Sequence, residues 1–273
     1  MNLAAGTQNR KPETIIVPQL AASSRFGGFK AEPEREVREQ KVETNHAVEE
    51  MKRIWTERND TYRIKPSATY AKVLDRIKTV AYSAKDVETF SIVLAGFQDE
   101  IDFHGKAGLI LSALINNCEE ERFVIHTAHL TMPIDYLGYR NKKDIVVDGD
   151  SGECVGYAME GGIITIERDA GHTAGVDMTA GTIIVKGDAG WDVGAGMKGG
   201  SIIVKGDAKQ NIGERMLGGS ILIEGDSGER IGYNMKGGEI YLLGDHAGSS
   251  DHVLHGKIFH KGKLIWPKGG GSK

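Results

Sequence analysis

Short β-branched runs alternate with polar, glycine-rich segments throughout the second half of the chain. The five clearest runs are four residues long and begin every 19 residues, at 163–166, 182–185, 201–204, 220–223 and 239–242. Branched residues favour extended backbone, and the intervening segments are too short for a helix that would cover a sheet. The pattern therefore predicts one short strand in each 19-residue repeat.

Other residue types keep the same step. They are aspartates at Asp150, Asp169, Asp188, Asp207, Asp226 and Asp245, glycines at Gly156, Gly175, Gly194, Gly213 and Gly232, and methionines at Met159, Met178, Met197, Met216 and Met235. A second glycine ladder runs from Gly162 to Gly238. In the last repeat, Leu254 is predicted to take the sixth methionine place and Lys257 to replace the glycine of this second ladder. A constant short period is the signature of a repeat architecture.

Stacking explains how so short a unit can fold. If each repeat is one coil of a mainly β, single-stranded solenoid, the strands of successive coils pair in parallel about 4.8 Å apart, and 19 residues trace a perimeter of roughly 60 Å. The Ile, Val and Leu ladders are expected to fill the interior, and this register counts Ile184 and Ile203 among the interior residues. Glycine is expected at the corners because it adopts positive φ without strain.

The methionine and aspartate ladders each have two interpretations. Stacked methionines fill irregular interior gaps, or their sulfur atoms bind a soft metal. The aspartates accept backbone N–H groups locally at their own corners, or they form a calcium ladder, although the known calcium-binding solenoid repeat has a nonapeptide period.

Four further regions flank the repeats at 149–263. Residues 1–40 are predicted to be a flexible arm with an apolar patch at 15–20, and residues 41–118 a helical cap that covers the N-terminal end of the solenoid. Residues 119–148 are predicted to contain strands that lead into the repeats, and residues 264–273 to be a tail.

The helical prediction depends on apolar residues spaced three and four apart. Within 42–118 this spacing recurs around Met51 and around Val73, the second time behind Ser67 as a candidate N-cap. The segment 86–97 is predicted to be a helix or a strand, and 107–118 a helix that packs beside it.

Composition excludes several classes of protein. The net charge is −4 and the pI about 6.2, so no basic footprint for nucleic acid is present. The two cysteines, Cys118 and Cys154, form neither a CxxC pair nor a disulfide framework. The chain has no apolar run of 18 residues. A cytoplasmic protein is expected.

The repeat at 187–205 resembles the GXGXG repeat shared by three proteins: the GXGXG subunit of formylmethanofuran dehydrogenase, its counterpart in the related formyltransferase/hydrolase complex, and the glutamate synthase large subunit in its C-terminal domain. The resemblance covers about 115 residues, 148–262, and holds over five successive coils. It implies a right-handed parallel β-helix with an architectural role. In that family the domain bridges catalytic subunits or domains and has no catalytic residues to carry over.

Histidines crowd the last repeat, and they are the weak candidates for a metal site: His246, His252, His255 and His260. Their spacing matches no zinc motif. No catalytic or cofactor-binding residue is predicted, and no cofactor is expected. Three hypotheses follow: a non-catalytic scaffold subunit that bridges partners in an enzyme complex, a homo-oligomeric structural protein, and a metal-binding or catalytic protein that uses the last coil. Apolar residues on an outer face would favour the first two.

Overall fold

The computed structural model describes residues 45–56, 65–248 and 252–267. The predicted arm with its apolar patch lies outside these residues. Within them, four α-helices precede nine β-strands. The helices are α1 (His46–Thr56), α2 (Pro66–Ile77), α3 (Ala84–Val93) and α4 (Phe103–Asn117), with a 3-10 turn at Leu94–Phe97. The strands are β1 (Arg122–His126), β2 (Asp144–Asp148), β3 (Glu160–Ile166), β4 (Ala180–Val185), β5 (Ser201–Val204), β6 (Ser220–Ile223), β7 (Lys236–Leu242), β8 (His255–His260) and β9 (Lys263–Trp266).

The strands form one sheet in sequence order, which confirms the predicted β-solenoid. Strands β1 to β8 pair in parallel, each with the next, so the chain completes about seven turns before β9 folds back antiparallel onto β8. From β2 to β7 the paired residues are 19 apart, as in Ile183 and Ile202, except at the start of β3, where Glu160 pairs with Ala180. The lead-in coil is longer, because Ile145 pairs with Phe123.

Backbone hydrogen bonds also join the coils outside the sheet. An isolated parallel ladder links Ser151, Ala170, Ala189, Ala208, Ser227 and His246. On the remaining side, Gly175 N–H donates to the Val155 carbonyl at 2.8 Å, and Gly194 N–H donates to Ala174 at 2.8 Å. Each coil is therefore bonded to its neighbours on all sides, which satisfies backbone groups that the short strands alone would leave unpaired.

The solenoid interior is filled by alternate strand residues, and this corrects the predicted register. Ile183 and Val185 are fully buried, whereas Ile184 between them is on the outside and only half-buried. The next coil repeats this arrangement, with Ile202 buried and Ile203 outside. Ile184 and Ile203 were therefore assigned to the wrong face, because successive side chains of a strand point to opposite faces.

The methionine ladder fits beneath the second glycine ladder. All five methionine side chains are fully buried. Gly219 has φ +90°, and a Cβ at this position would lie 2.6 Å from Cε of Met197 and 2.7 Å from the Gly200 carbonyl oxygen. The methionine of one coil thus occupies the space that a side chain at the corner of the next coil would need. Both ladders are requirements of packing.

The aspartate ladder bonds between coils, not within its own corner as expected. Oδ1 of Asp188 accepts the backbone N–H of Asp207 at 2.7 Å, and Oδ1 of Asp207 accepts the N–H of Asp226 at 2.7 Å. The same bond is 2.7–3.0 Å long at the other three steps. The carboxylates therefore connect each corner to the next one, because the repeat places an acceptor and a donor one coil apart.

The helices cover the N-terminal end of the sheet. Helix α3 lies along β1, and Oγ of Ser91 accepts the backbone N–H of His126 at 3.0 Å. In α4, Oγ of Ser112 accepts the N–H of Gly138 at 2.9 Å and so holds the lead-in coil. Helix and solenoid residues belong to one continuous core. The segment with two interpretations is therefore a helix, and it protects an edge that would otherwise expose unpaired strand groups.

One predicted helix start is wrong. Helix α2 begins at Pro66 with Lys65 as its N-cap, so Ser67 lies inside the first turn. Proline favours the first helical position because its φ is already helical and it has no N–H to leave unpaired. By contrast, α3 has a reciprocal capping box, in which Ser83 and Asp86 bond each other's backbone N–H groups.

The last coil is one residue shorter than the others. Glu239 pairs with Lys257, a step of 18, and the corner glycine is Gly256 with φ +104°. Val253 is buried, whereas Leu254 is 53% exposed. The sixth methionine place therefore belongs to Val253, and the glycine was not replaced by Lys257. The fold also continues past residue 263, because 263–266 form β9 and only part of the predicted tail lies beyond it.

Candidate functional site

The outer face of the sheet carries a largely apolar row, which we call the central row. Strand pairing places one of its residues on each of the eight parallel strands: Val124, Val146, Thr165, Ile184, Ile203, Leu222, Tyr241 and Phe259. Seven of these eight side chains are aliphatic or aromatic. Val124 and Val146 are 38% and 39% exposed, and the rings of Tyr241 and Phe259 stack with centroids 4.9 Å apart. At about 4.8 Å per strand the row extends over roughly 34 Å.

A charged row borders the central row on the side where the strands end. It contains His126, Asp148, Glu167, Lys186, Lys205, Glu224, Leu243 and Lys261. Neighbours along it form ion pairs. Lys186 Nζ lies 2.7 Å from Glu167, and Lys205 pairs with Glu224, while His126 Nδ1 forms a hydrogen bond of 2.9 Å with Asp148. Most of these charges are therefore compensated within the row, and the border is polar with little net charge.

The opposite border is mostly polar, with charged residues at its two ends and hydroxyl side chains in its middle. It contains Arg122, Asp144, Ile163, Thr182, Ser201, Ser220, Glu239 and Lys257. Ser220 donates to Ser201 at 3.1 Å, and Lys257 lies 3.0 Å from Glu239. Hydrogen bonds from Tyr241 and then Lys257 lower the pKa of Glu239. The outer face thus has the anatomy of a protein interface, with an apolar centre and a polar rim.

A parallel sheet is normally covered on both faces. Here the solenoid interior covers one face, and among the described residues no helix packs along the other beyond β1. Apolar surface that is continuous and rimmed by polar residues marks interaction sites more reliably than single exposed residues do. The outer face is therefore the best candidate for a functional surface.

The four candidate histidines of the last coil do not come together. The rings of His246 and His260 meet at a right angle with centroids 4.6 Å apart, while His252 contacts Tyr233 at 5.7 Å and His255 lies exposed on β8. Burial, and then His260, lowers the pKa of His246. Within 45–56, 65–248 and 252–267, no three His, Cys, Asp or Glu side chains are grouped as a metal site requires.

Two side chains with shifted pKa values, His129 and Asp135, lie where the helical cap meets the solenoid. Burial lowers the pKa of His129, whose Nε2 lies 3.1 Å from the carbonyl oxygen of Ile92 in α3. Burial raises the pKa of Asp135, even though its Oδ1 accepts the Glu153 N–H at 2.8 Å. Both side chains tie a helix or a coil to its neighbour, so their roles are structural.

Sequence reasoning missed the central row. All four residues of a run such as 182–185 favour strands, and no charge marks which of them face outward. The sequence did contain a usable signal. Side chains of a strand alternate between its two faces, so placing Ile183 in the interior places Ile184 outside. The serine and threonine at 182, 201 and 220 share the outer face with the central row and could have identified it.

Comparisons with protein-family models and with curated proteins find no match to this chain. None of the helices in the described part of the chain is long and apolar enough to cross a membrane. The outer face therefore has to be interpreted from its own geometry.

Proposed function

We propose that this chain is a non-catalytic scaffold subunit of a cytoplasmic, multisubunit enzyme complex and that it binds protein through the outer face of its sheet. The observation that carries the proposal is the central row, an apolar strip about 34 Å long between two polar borders. Burial of apolar area drives most protein association. A surface of this kind is costly to leave in water unless a partner covers it.

The rigidity of the solenoid supports the same role. Hydrogen bonds on all sides of each coil and fully buried methionines hold the outer residues at a fixed spacing. A preorganised surface loses little conformational entropy on binding, so more of the contact energy appears as affinity. The resemblance to the GXGXG repeats of formylmethanofuran dehydrogenase and of glutamate synthase agrees with an architectural task, since that family's domain bridges catalytic units.

The proposal is tested by purifying the endogenous protein from its source and identifying what accompanies it by native mass spectrometry. We expect stoichiometric recovery in a complex whose other subunits are enzymes. The variant Ile203→Lys places a charge in the middle of the central row and should release the partner without unfolding the chain.

Leu217 provides the matched control for this test. It is 47% exposed, but it lies in the arm between β5 and β6 and so on another side of the solenoid. Leu217→Lys adds the same charge to the same coil and should keep the partner. If both variants retain all the proteins that accompany the unsubstituted chain, further copies of itself included, the outer face is not the binding surface and the proposal is wrong.

A further inference from the structure

We infer that the outer face binds a second copy of this chain, packed face to face about a twofold axis that runs parallel to the strands between β5 and β6. The inference rests on the proposed function, because it names the occupant of the same face. In such a pair the strands of the two copies align while the solenoid axes run in opposite directions. Strand β5 then faces β6 of the other copy, β4 faces β7, and β3 faces β8.

The apolar residues match across this axis. Ile203 faces the partner subunit's Leu222, and Ile184 faces the partner subunit's Tyr241. Because the relation is symmetric, each contact occurs twice. Two sheets that pack face to face are about 10 Å apart, which is the distance that two layers of such side chains fill.

The charged row selects this axis. Lys205 faces the partner subunit's Glu224, and Glu167 faces the partner subunit's Lys261, so opposite charges meet at both places. Lys205 and Glu224 already form an ion pair within one copy. Two such pairs in opposite orientation make a square of alternating charges on the axis. Long Lys and Glu side chains can span the gap at the rim.

Each neighbouring axis sets at least one pair of like charges opposite one another. An axis between β4 and β5 would set Glu167 against the partner's Glu224, and Lys186 against the partner's Lys205. An axis through β5 would set Lys205 against itself at the centre of the face, although it would also bring Lys186 to the partner's Glu224. An axis through β6 would set Glu224 against itself and Lys186 against the partner's Lys261. Like charges placed opposite one another disfavour a docking mode, so the axis between β5 and β6, which sets no like charges of the charged row opposite one another, is the favoured register.

The size of the face predicts a reversible dimer. Six strands with their borders cover about 30 Å by 17 Å, or roughly 500 Å² per copy and 1,000 Å² in total. This is near the lower limit for specific protein interfaces. We therefore expect a dimer that dissociates on dilution in the micromolar range.

Sedimentation velocity of the full chain over roughly 1 to 100 μM tests the inference. We expect the sedimentation coefficient to rise with concentration from the monomer value to the dimer value. Ile203→Lys should remain a monomer throughout, and Leu217→Lys should dimerise as the unsubstituted chain does. A chain that stays monomeric over the whole range overturns the inference.

A charge exchange tests the register itself. Lys205→Glu puts four carboxylates on the axis and should abolish the dimer, whereas Lys205→Glu combined with Glu224→Lys restores the alternating square and should restore it. Circular dichroism checks that each variant is folded. If the double variant remains a monomer, the proposed axis is wrong.

The two proposals fail in different ways. If the chain is monomeric but Ile203→Lys still releases an enzyme subunit from the purified complex, the second copy is the wrong occupant and the scaffold function stands. If neither a dimer nor a complex depends on Ile203, both are wrong.

Discussion

Asp207 offers a direct test of how the aspartate ladder stabilises the solenoid. Its Oδ1 accepts the backbone N–H of Asp226 at 2.7 Å, and its own N–H donates to Asp188 at 2.7 Å. Asp207→Ala removes the acceptor and leaves the Asp226 N–H without its bond. Asp207→Asn keeps an oxygen in the same place and removes only the charge.

The expected magnitudes follow from this geometry. A carboxylate one coil away, about 4.8 Å, repels Asp207 by about 0.9 kcal/mol in water, and there are two such neighbours. A hydrogen bond to a charged group contributes about 1.5–3 kcal/mol, roughly twice that of a neutral one. The asparagine variant weakens the bond but relieves the repulsion, so its free energy of unfolding should change by less than about 0.5 kcal/mol. The alanine variant relieves the same repulsion but keeps no acceptor, so it should be less stable than the asparagine variant by about 0.5–1.5 kcal/mol, the contribution of a neutral hydrogen bond.

Urea denaturation followed by circular dichroism measures both variants, and a wild-type sample with EDTA completes the set. If the ladder instead held calcium ions, charge would matter more than acceptor geometry. Asparagine would then destabilise as much as alanine, and EDTA would lower the wild-type midpoint. Either result would refute the proposed role of the ladder as a series of backbone acceptors.

Two other predictions address the register and the helical cap. Ile183→Asp should destabilise the solenoid by more than about 4 kcal/mol, because it combines a lost core side chain with an unpaired buried charge. Ile184→Asp, on the outer face, should cost less than about 1 kcal/mol in dilute protein. Equal melting temperatures for the two variants would contradict the alternation of interior and exterior residues. Because burial lowers the pKa of His129 in the folded protein, its contribution to stability is present above the unfolded pKa of about 6.5 and is lost as pH falls below it. His129→Gln keeps a donor for Ile92 and should show a smaller fall in melting temperature between pH 7.5 and 5.5, roughly one unit either side of that pKa; an unchanged fall would assign the acid sensitivity to other groups.

The sequence alone determined the architecture of the repeats. The 19-residue step requires stacked coils because one coil cannot bury its own apolar residues, and parallel pairing of Ile183 with Ile202 follows from that stacking. Helical periodicity around Met51 and Val73 likewise identified helices, since both side chains are buried at that spacing.

The sequence predicted the structure less well where the same residues were compatible with two arrangements. The apolar run at 182–185 suits either face of the strand, so the interior was assigned to Ile184 instead of Ile183, and the central row went unrecognised. The terminal repeat was misread because a one-residue deletion keeps the composition while moving each place by one, from Leu254 to Val253 and from Lys257 to Gly256.

Only the tertiary structure decided which groups meet across coils. An aspartate at a corner can bond its own turn or the next one, and the stacking distance selects the next, as for Asp207 and Asp226. The outer face likewise exists only after eight strands align, because each contributes a single residue to the central row. The 19-residue period specified the coil because every repeat carries the same pattern of strand and corner residues. The outer face depends instead on how all the repeats align with one another, and no single repeat contains that information.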